Sequence, residues 1–330
     1  MSQPDAIMTT PPRPRLSGQI RLAAAVFIIL ALLPILLSFS GQSFFISVIC
    51  RMMIYAIAAL SLDLILGYGG MVSFGHAAFL GIGAYTVLIL NGMGVTDLAI
   101  QTIAALVVSA LFAVVTGAIS LRTRGIYFIM ITLAFGQMAF FFFISLAALG
   151  GDDGKALSRR STIFGQSWLQ NETSLFYLVL ALLIIVFVIL SRLTRSRFGR
   201  VLVGSRENEL RMEAMGYEVF PFRLIAYVIS AAICGLAGVL LANQTLYVSP
   251  GIMSWVRSGE MIIMLVVGGI GSLSGALVGA LVTVGLEELL ARFSEHWKLV
   301  FGILLLLLVL YAPKGLGSLF ERVGLRETKK

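Results

Sequence analysis

The stretch Gly67–Tyr85, GYGGMVSFGHAAFLGIGAY, carries six glycines and one of the two histidines of a 330-residue chain. In a soluble protein this density of glycine would indicate a phosphate-binding loop or a flexible turn, because glycine tolerates positive φ and lets a ligand approach the backbone. The sequence on either side is strongly apolar. The stretch therefore has to be interpreted inside a hydrophobic chain, where small residues have a different use.

The composition of the whole chain places it in a membrane. Hydrophobic residues make up 59% and charged residues 12%, and the mean hydropathy is +0.99, against about 45–50% apolar and about 25% charged residues in an ordinary soluble domain. Long apolar runs recur at 22–39, 44–66, 100–121, 126–149, 175–190, 225–246 and 300–311. This pattern predicts an all-α fold, a polytopic bundle of transmembrane helices.

The chemistry-bearing residues are too few and too dispersed for an enzyme. Cys50 and Cys234 both fall in apolar segments, where we expect packing residues rather than a disulfide or a metal site. Two histidines without a cysteine cluster argue against a catalytic or metal centre, so we predict no metal, no cofactor and no catalytic residue. The segment 150–156 lacks the spacing and the hydroxyl residue of a phosphate-binding loop. The segment therefore gives no sign that this chain itself binds a nucleotide.

The distribution of basic residues predicts the topology. The net charge of +8 comes from residues at the ends of apolar runs, which indicates orientation signals rather than a nucleic-acid surface. We expect a flexible cytoplasmic tail at 1–21, a transmembrane domain at 22–312 and a cytoplasmic tail at 313–330. Crossings are predicted at 22–39, 44–66, 72–91, 98–120, 126–149 and 174–191. The loop 191–223 with its seven arginines is then cytoplasmic, and the charge-balanced loop 150–173 is external.

Both basic tails require an even number of crossings, whereas a simple count gives nine. The segment 259–292 resolves the mismatch, because it is longer than the roughly 20 residues that one span needs and is interrupted by glycines between Gly268 and Gly275. We predict two helices joined at membrane depth and about ten membrane segments in all.

The glycines are expected to let helices approach closely, since lipid gives helices no hydrophobic reason to associate. Gly271, Gly275 and Gly279 recur every four residues. A role in helix packing, or alternatively in lining the pathway, is predicted for Gly75, His76, Gly81, Gly268, Gly271, Gly275 and Gly279. We expect the His76 imidazole to hydrogen-bond a neighbour such as Ser73, one helical turn away.

Two ionisable residues lie inside an early span. Arg51 and Asp63 are twelve residues apart, about 18 Å along a helix, which is too far for a direct pair. Because charges inside a membrane are costly, each should face protein, water or the interface.

The segment Gly204–Gly216, GSRENELRMEAMG, predicts a short amphipathic helix outside the membrane. Ser205 is a plausible N-cap and Gly216 a natural terminator. Leu210, Ala214 and Met215 would form an apolar ridge suited to a groove on a partner. The alternative is a helix that lies on the lipid headgroups.

Four stretches in order, GYGGMVSFGHAAFLGIGAY, SRENELRMEAMG, YVSPGIMSWVRSGEMIIMLVVGGIGSLSGALVGA and YAPKGLGSL, resemble the signature regions of branched-chain amino acid ATP-binding cassette (ABC) transporter permeases, and the match runs from about residue 44 to 319. The resemblance is to the M-type subunit and to the type II importer fold. It implies a multi-pass protein of the bacterial inner membrane. It also implies three kinds of partner: a second related permease, two ABC ATPases, and a periplasmic or extracellular solute-binding protein.

By position, the resemblance implies that the ATPase-coupling residues are Glu207, Leu210, Glu213, Ala214, Met215 and Gly216. Relatives of this family also move urea and short amides, which leaves the substrate open. A secondary transporter or channel is the main alternative, because broken helices occur there too. A membrane enzyme is a more distant one.

Overall fold

A computed structural model describes residues 16–38, 43–163, 165–293, 296–311 and 315. The predicted tails lie outside these residues, apart from 16–21 and Gly315. The described residues form twelve α-helices and one small antiparallel pair of strands, β1 (Lys155–Ala156) and β2 (Tyr247–Val248). The helices are α1 (Leu16–Ser38), α2 (Ser43–Asp63, continued by a π-helical turn at Leu64–Tyr68), α3 (His76–Gly92), α4 (Leu98–Ser120), α5 (Ile126–Ser145), α6 (Glu172–Arg195), α7 (Arg197–Glu207), α8 (Glu209–Ala214), α9 (Val219–Thr245), α10 (Trp255–Gly268), α11 (Leu273–Phe293) and α12 (Trp297–Tyr311).

Six of the described helices are long and apolar enough to cross a membrane: Phe44–Tyr68, Leu98–Ser120, Ile126–Ser145, Glu172–Arg195, Val219–Thr245 and Leu273–Phe293. Three shorter apolar helices lie at Arg21–Pro34, His76–Gly92 and Trp297–Leu307. The prediction of an all-α polytopic membrane protein is confirmed. The count of ten is not supported for full-length spans, because α3, α10 and α12 have 17, 14 and 15 residues where about 20 are needed.

The connections gather at two ends of the bundle. At one end the turn after α3 meets the loop between α5 and α6, where the Thr162 amide donates to the Thr96 carbonyl over 2.7 Å, and β1 pairs with β2. At the other end the turn between α4 and α5 meets α8 through an ion pair from Arg124 to Glu209. Helix α6, with 24 residues and a length of about 36 Å, joins the two ends. We call the second one the arginine-rich end.

One arrangement of three helices occurs twice in the chain. A long helix, α2 or α9, is followed by an irregular segment, 69–75 or 246–254, and by a shorter helix, α3 or α10. The first copy consists of α2, α3 and α4, and the second of α9, α10 and α11. In each copy the short helix packs against the third helix, as α3 does against α4 and α10 against α11. The long helix of each copy packs against the third helix of the other copy, as α2 does against α11 and α9 against α4. The two shorter helices begin beside each other, since the Ala77 amide donates to the Ser258 hydroxyl over 3.0 Å. The irregular segments therefore meet inside the bundle.

The connection between α10 and α11 differs from the prediction in its position. Its residues 269–272 lie at the arginine-rich end, where the Gly271 amide donates to Asp63 Oδ1 over 2.8 Å. The sequence analysis places this connection inside the membrane. Gly269 and Gly271 have φ values of +107° and +79°, so the chain can reverse tightly at the end of the bundle.

Candidate functional site

The segment predicted as one helix from Gly204 to Gly216 is divided in two. Helix α7 ends at Glu207, and Asn208 caps α8 by accepting a hydrogen bond from the Arg211 amide over 2.9 Å. The predicted cap, Ser205, is wrong: it is buried in α7, where its hydroxyl donates to the Leu202 carbonyl. Gly216 follows the end of α8 with φ +85°, the left-handed conformation in which helices commonly end.

Helix α8 is fastened to the bundle through Glu209. Its carboxylate forms ion pairs with Arg124 in the turn between α4 and α5 and with Arg223 in α9, each at 2.9 Å. The Glu209 and Arg223 side chains are only 17% and 15% exposed, so water screens this pair weakly. Met212, on the inner face of α8, packs with Val201 and Val219. Glu209 was not among the predicted residues, because no local pattern distinguishes it from the other glutamates of the segment.

Two large apolar side chains are exposed at α8 and directly after it. Leu210 is 73% exposed and Met215 is 58% exposed. Glu207, Glu213, Ala214 and Gly216 are exposed as well, so all six predicted coupling residues lie on the accessible surface. A cavity of about 740 Å³ opens beside α8, and its walls include Arg122, Glu213 and Phe220. The helix therefore presents a ridge and an adjacent hollow to whatever lies beyond the arginine-rich end.

Arg206 connects α7 to the membrane helices. Its guanidinium donates a hydrogen bond to the Gly67 carbonyl, and its side chain lies against Gly70, where a Cβ atom would come within 2.5 Å of Arg206 Cγ. Gly70 has φ +69°, which favours glycine there for a second reason. Asp63, one turn before Gly67, accepts from the Gly271 amide. Arg206 thus reaches the point where α2 meets the connection between α10 and α11.

Most of the predicted packing glycines lie where a side chain does not fit. A Cβ atom at Gly268 would collide with the Gly275 carbonyl, and one at Gly279 would collide with the Met264 carbonyl. In the opening stretch, a Cβ at Gly75 would collide with the Thr132 carbonyl and one at Gly81 with the Met253 side chain. Gly271 differs, since its positive φ rather than crowding favours glycine.

His76 lies in a buried polar cluster between α2, α3 and α9. Its Nε2 is 2.9 Å from the Ser61 hydroxyl, and its carbonyl accepts a weak hydrogen bond from Cys234. The expected partner, Ser73, does not bond to it: among the described residues His76 Nδ1 has no hydrogen-bond partner. A serine from another helix takes the place of the serine one turn away, because residues 69–75 are not helical.

Arg51 and Asp63 do not pair with each other, as their spacing predicts. Arg51 forms an ion pair with Glu288 of α11, and Asp63 binds the Gly271 amide. Among the described residues no group of three or more histidine, cysteine, aspartate or glutamate side chains could hold a metal ion.

Comparison with known proteins gives consistent results. The family model described as "Branched-chain amino acid transport system / permease component" matches residues 44–310. The high-affinity branched-chain amino acid transport system permease protein LivM of Salmonella typhimurium is 30% identical, over 80% of this chain and 68% of the relative. BraD of Pseudomonas aeruginosa, a permease of the same description, is 27% identical over 79% of this chain and 91% of the relative. LivH of Salmonella typhimurium is 25% identical over 79% of this chain and 90% of the relative. No solved structure matches significantly.

Proposed function

Because the chain belongs to the family of branched-chain amino acid transport permeases, we propose that it is the membrane-spanning subunit of an ABC importer for branched-chain amino acids. The observation that carries this proposal is the family match over residues 44–310, which takes in almost the whole bundle together with α8. Relatives at 27–30% identity are named as permeases for these amino acids. The second candidate substrate class, urea or short amides, belongs to the same type of transporter.

The proposed partners are a second related permease, two ATPases and a solute-binding protein, in the inner membrane of a bacterial cell. Support for the second permease comes from the relatives, which include both LivM and LivH proteins. Support for separate ATPases comes from the exposed apolar ridge of α8 at the arginine-rich end. Since arginines mark cytoplasmic segments, this end is the one that an ATPase can reach.

We propose ten membrane segments within 22–312, six of full length and four shorter ones, which are the apolar part of α1 (Arg21–Pro34), α3, α10 and α12. The termini are then both cytoplasmic, and the loop between α5 and α6 is external. The arrangement is supported by the short helices that follow the irregular segments 69–75 and 246–254, because irregular backbone at membrane depth is tolerated inside protein or along a water-filled cavity.

Helix α8 is proposed to transmit the ATPase cycle to the bundle. Leu210 and Met215 would fill a groove on the ATPase, and Glu213, Ala214 and Gly216 would lie at its rim, with Glu207 at the end of α7. The attachment of α8 through Glu209 and Met212 makes the helix a rigid projection rather than a loose loop. A rigid projection can pass on a displacement that a mobile segment would absorb.

The test replaces Leu210 and Met215 together by aspartate. Burying two charges in an apolar groove costs on the order of several kcal/mol unless they find partners, so co-purification of the ATPases and ATP-driven uptake of labelled leucine should both fall. Trp168→Asp is the matched control for ATPase recovery, since Trp168 is 67% exposed in the loop at the opposite end, away from any ATPase. Normal ATPase recovery and uptake in the double variant would contradict the coupling role. Uptake that does not depend on ATP would favour a secondary transporter instead, and uptake of urea but not of leucine would change the substrate class.

A further inference from the structure

A group of five charged side chains lies among the membrane helices, away from α8. Arg51 of α2 pairs with Glu288 of α11, and Arg257 of α10 pairs with Glu260 of the same helix at 2.6 Å. Glu287 of α11 is the fifth member. The Tyr55 hydroxyl lies near these charges. We call these residues the ionic cluster.

The ionic cluster lies within the thickness of the hydrocarbon core. The apolar span Phe44–Tyr68 has 25 residues, and Ala56 is at its middle. Arg51 is five residues from Ala56, about 8 Å along the helix, and Tyr55 is adjacent to it, whereas half of the hydrocarbon core is about 15 Å thick. On α10 the cluster brackets Ser258, which binds the first turn of α3 inside the bundle.

The cluster is also partly open to the outside of the chain. The Arg257 and Glu260 side chains are 36% and 28% exposed, and those of Arg51 and Glu288 are 37% and 26% exposed. Charged side chains are costly at such a depth and almost always face the interior of the bundle or a water-filled cavity. A surface of this kind does not suit contact with lipid.

Helices α4 and α5 provide the contrast. They contain no charged residue, and the side chains that they expose, such as Leu111, Met138 and Phe141, are those expected against lipid tails. The chain therefore has a lipid-compatible face on α4 and α5 and a different face at the start of α10.

The backbone before α10 supports the same distinction. Residues 246–254 form no α-helix, although they connect two membrane helices. Backbone of this kind at membrane depth occurs where it is buried in protein or borders water. Part of this segment is buried, since Met253 packs against Gly81, but Gly251 is exposed.

We propose that the face of α10 that carries Val256, Arg257 and Glu260 lines the water-filled passage that opens between this chain and the second permease, with the Arg51–Glu288 pair behind it. This inference rests on the proposed transport function and identifies the part of the chain that solute passes. The Arg257–Glu260 pair on this face suits a zwitterionic amino acid, because its two opposite charges keep the passage hydrated and compensate each other, so that neither holds the solute strongly.

The test measures thiol reactivity in the assembled transporter in membrane vesicles. A charged, membrane-impermeant methanethiosulfonate reacts with a thiolate, which forms in water and not in lipid. Cysteines are placed at Glu260 and, because Glu260→Cys also breaks an ion pair, separately at the uncharged Val256, which is 48% exposed. Leu111→Cys, at a position 61% exposed near the middle of α4, is the control. The native Cys50 and Cys234 are buried and give the background.

Labelling of Val256→Cys and Glu260→Cys at least about tenfold faster than Leu111→Cys is the expected result, in line with the dependence on thiolate. If Glu260→Cys does not assemble, Val256→Cys alone decides. Rates equal to that of Leu111→Cys overturn the inference, because this face would then contact lipid or pack dry against the partner. ATP-driven leucine uptake is measured in the same vesicles. Fast labelling without such uptake would support the hydrated face of α10 but would contradict the proposal that the protein is part of an importer.

Discussion

Replacing Glu209 by glutamine tests whether one carboxylate holds α8 to the bundle. The substitution keeps the shape of the side chain and removes its charge, so that Arg223 and Arg124 lose their common partner. Arg223 is the more sensitive of the two, because its side chain is 15% exposed and its Nε already lacks a partner among the described residues. Arg124 is 68% exposed and can turn to water.

The expected magnitude follows from these exposures. Two unit charges 4 Å apart attract by about 4 kcal/mol at an effective dielectric constant of 20, and desolvation offsets part of this. Breaking a fully buried pair costs about 3–5 kcal/mol, whereas an exposed one contributes about 0.2–1 kcal/mol. For a pair that is mostly but not wholly buried we expect about 2 kcal/mol, which would raise the population of detached α8 by roughly 30-fold.

Hydrogen exchange of the α8 amides in the reconstituted complex measures this population. Exchange at 211–216 should accelerate in Glu209→Gln, and leucine uptake per ATP hydrolysed should fall, since a detached helix transmits less displacement. Glu213→Gln is the matched control for exchange, because Glu213 lies on the same helix and forms no ion pair among the described residues. Equal exchange in wild type and Glu209→Gln would refute the reasoning, whatever happens to uptake.

Two further predictions concern the bundle. Gly275→Leu should reduce the recovery of assembled transporter, because a Cβ there would lie 2.5 Å from the Gly268 carbonyl oxygen and overpacking costs about 1–3 kcal/mol or more. Gly302→Leu is the control and should be recovered normally, since the space around Gly302 is open. Equal recovery of both variants would contradict the packing role of Gly275. The topology can be tested with an impermeant thiol reagent added outside intact cells. The reagent should label Met93→Cys, in the exposed turn after α3, and should not label Arg122→Cys at the arginine-rich end. The reverse pattern would mean that the proposed orientation in the membrane is inverted.

The helices could be predicted from the sequence because their signal is local. The predicted span 98–120 coincides with α4, and 126–149 overshoots α5 by four residues, since apolar residues continue into the loop. The sequence predicts a cap at Ser205, whereas the residue that caps α8 is Asn208, whose side chain is an equally good cap. Tertiary packing decides it: Met212 lies against Gly204, and this contact requires the chain to turn between α7 and α8.

The charged residues could not be assigned partners from the sequence, because their partners are remote. Glu209 is 85 residues from Arg124, and Arg51 is 237 residues from Glu288. No periodic pattern in the sequence indicates a contact between residues so far apart in the chain, whereas glycines spaced by four indicate one face of a helix directly. Sequence reasoning therefore finds the surfaces on which helices meet, and the structure is needed to find the side chains that connect one element to another.

Contacts between remote residues connect the two proposed sites, which are α8 and the hydrated face of α10. Helix α8 is linked through α7 to Arg206, which binds the Gly67 carbonyl beside the start of the α10–α11 connection. Helix α10 has 14 residues and is about 21 Å long. Its last residue, Gly268, packs against Gly275 next to that connection, and its first turns carry Arg257 and Glu260. Because a short helix moves as a rigid rod, a displacement of α8 that reaches Gly268 must also reach the hydrated face at the other end. The ATPase contact and the passage would then be coupled through the rotation or translation of α10.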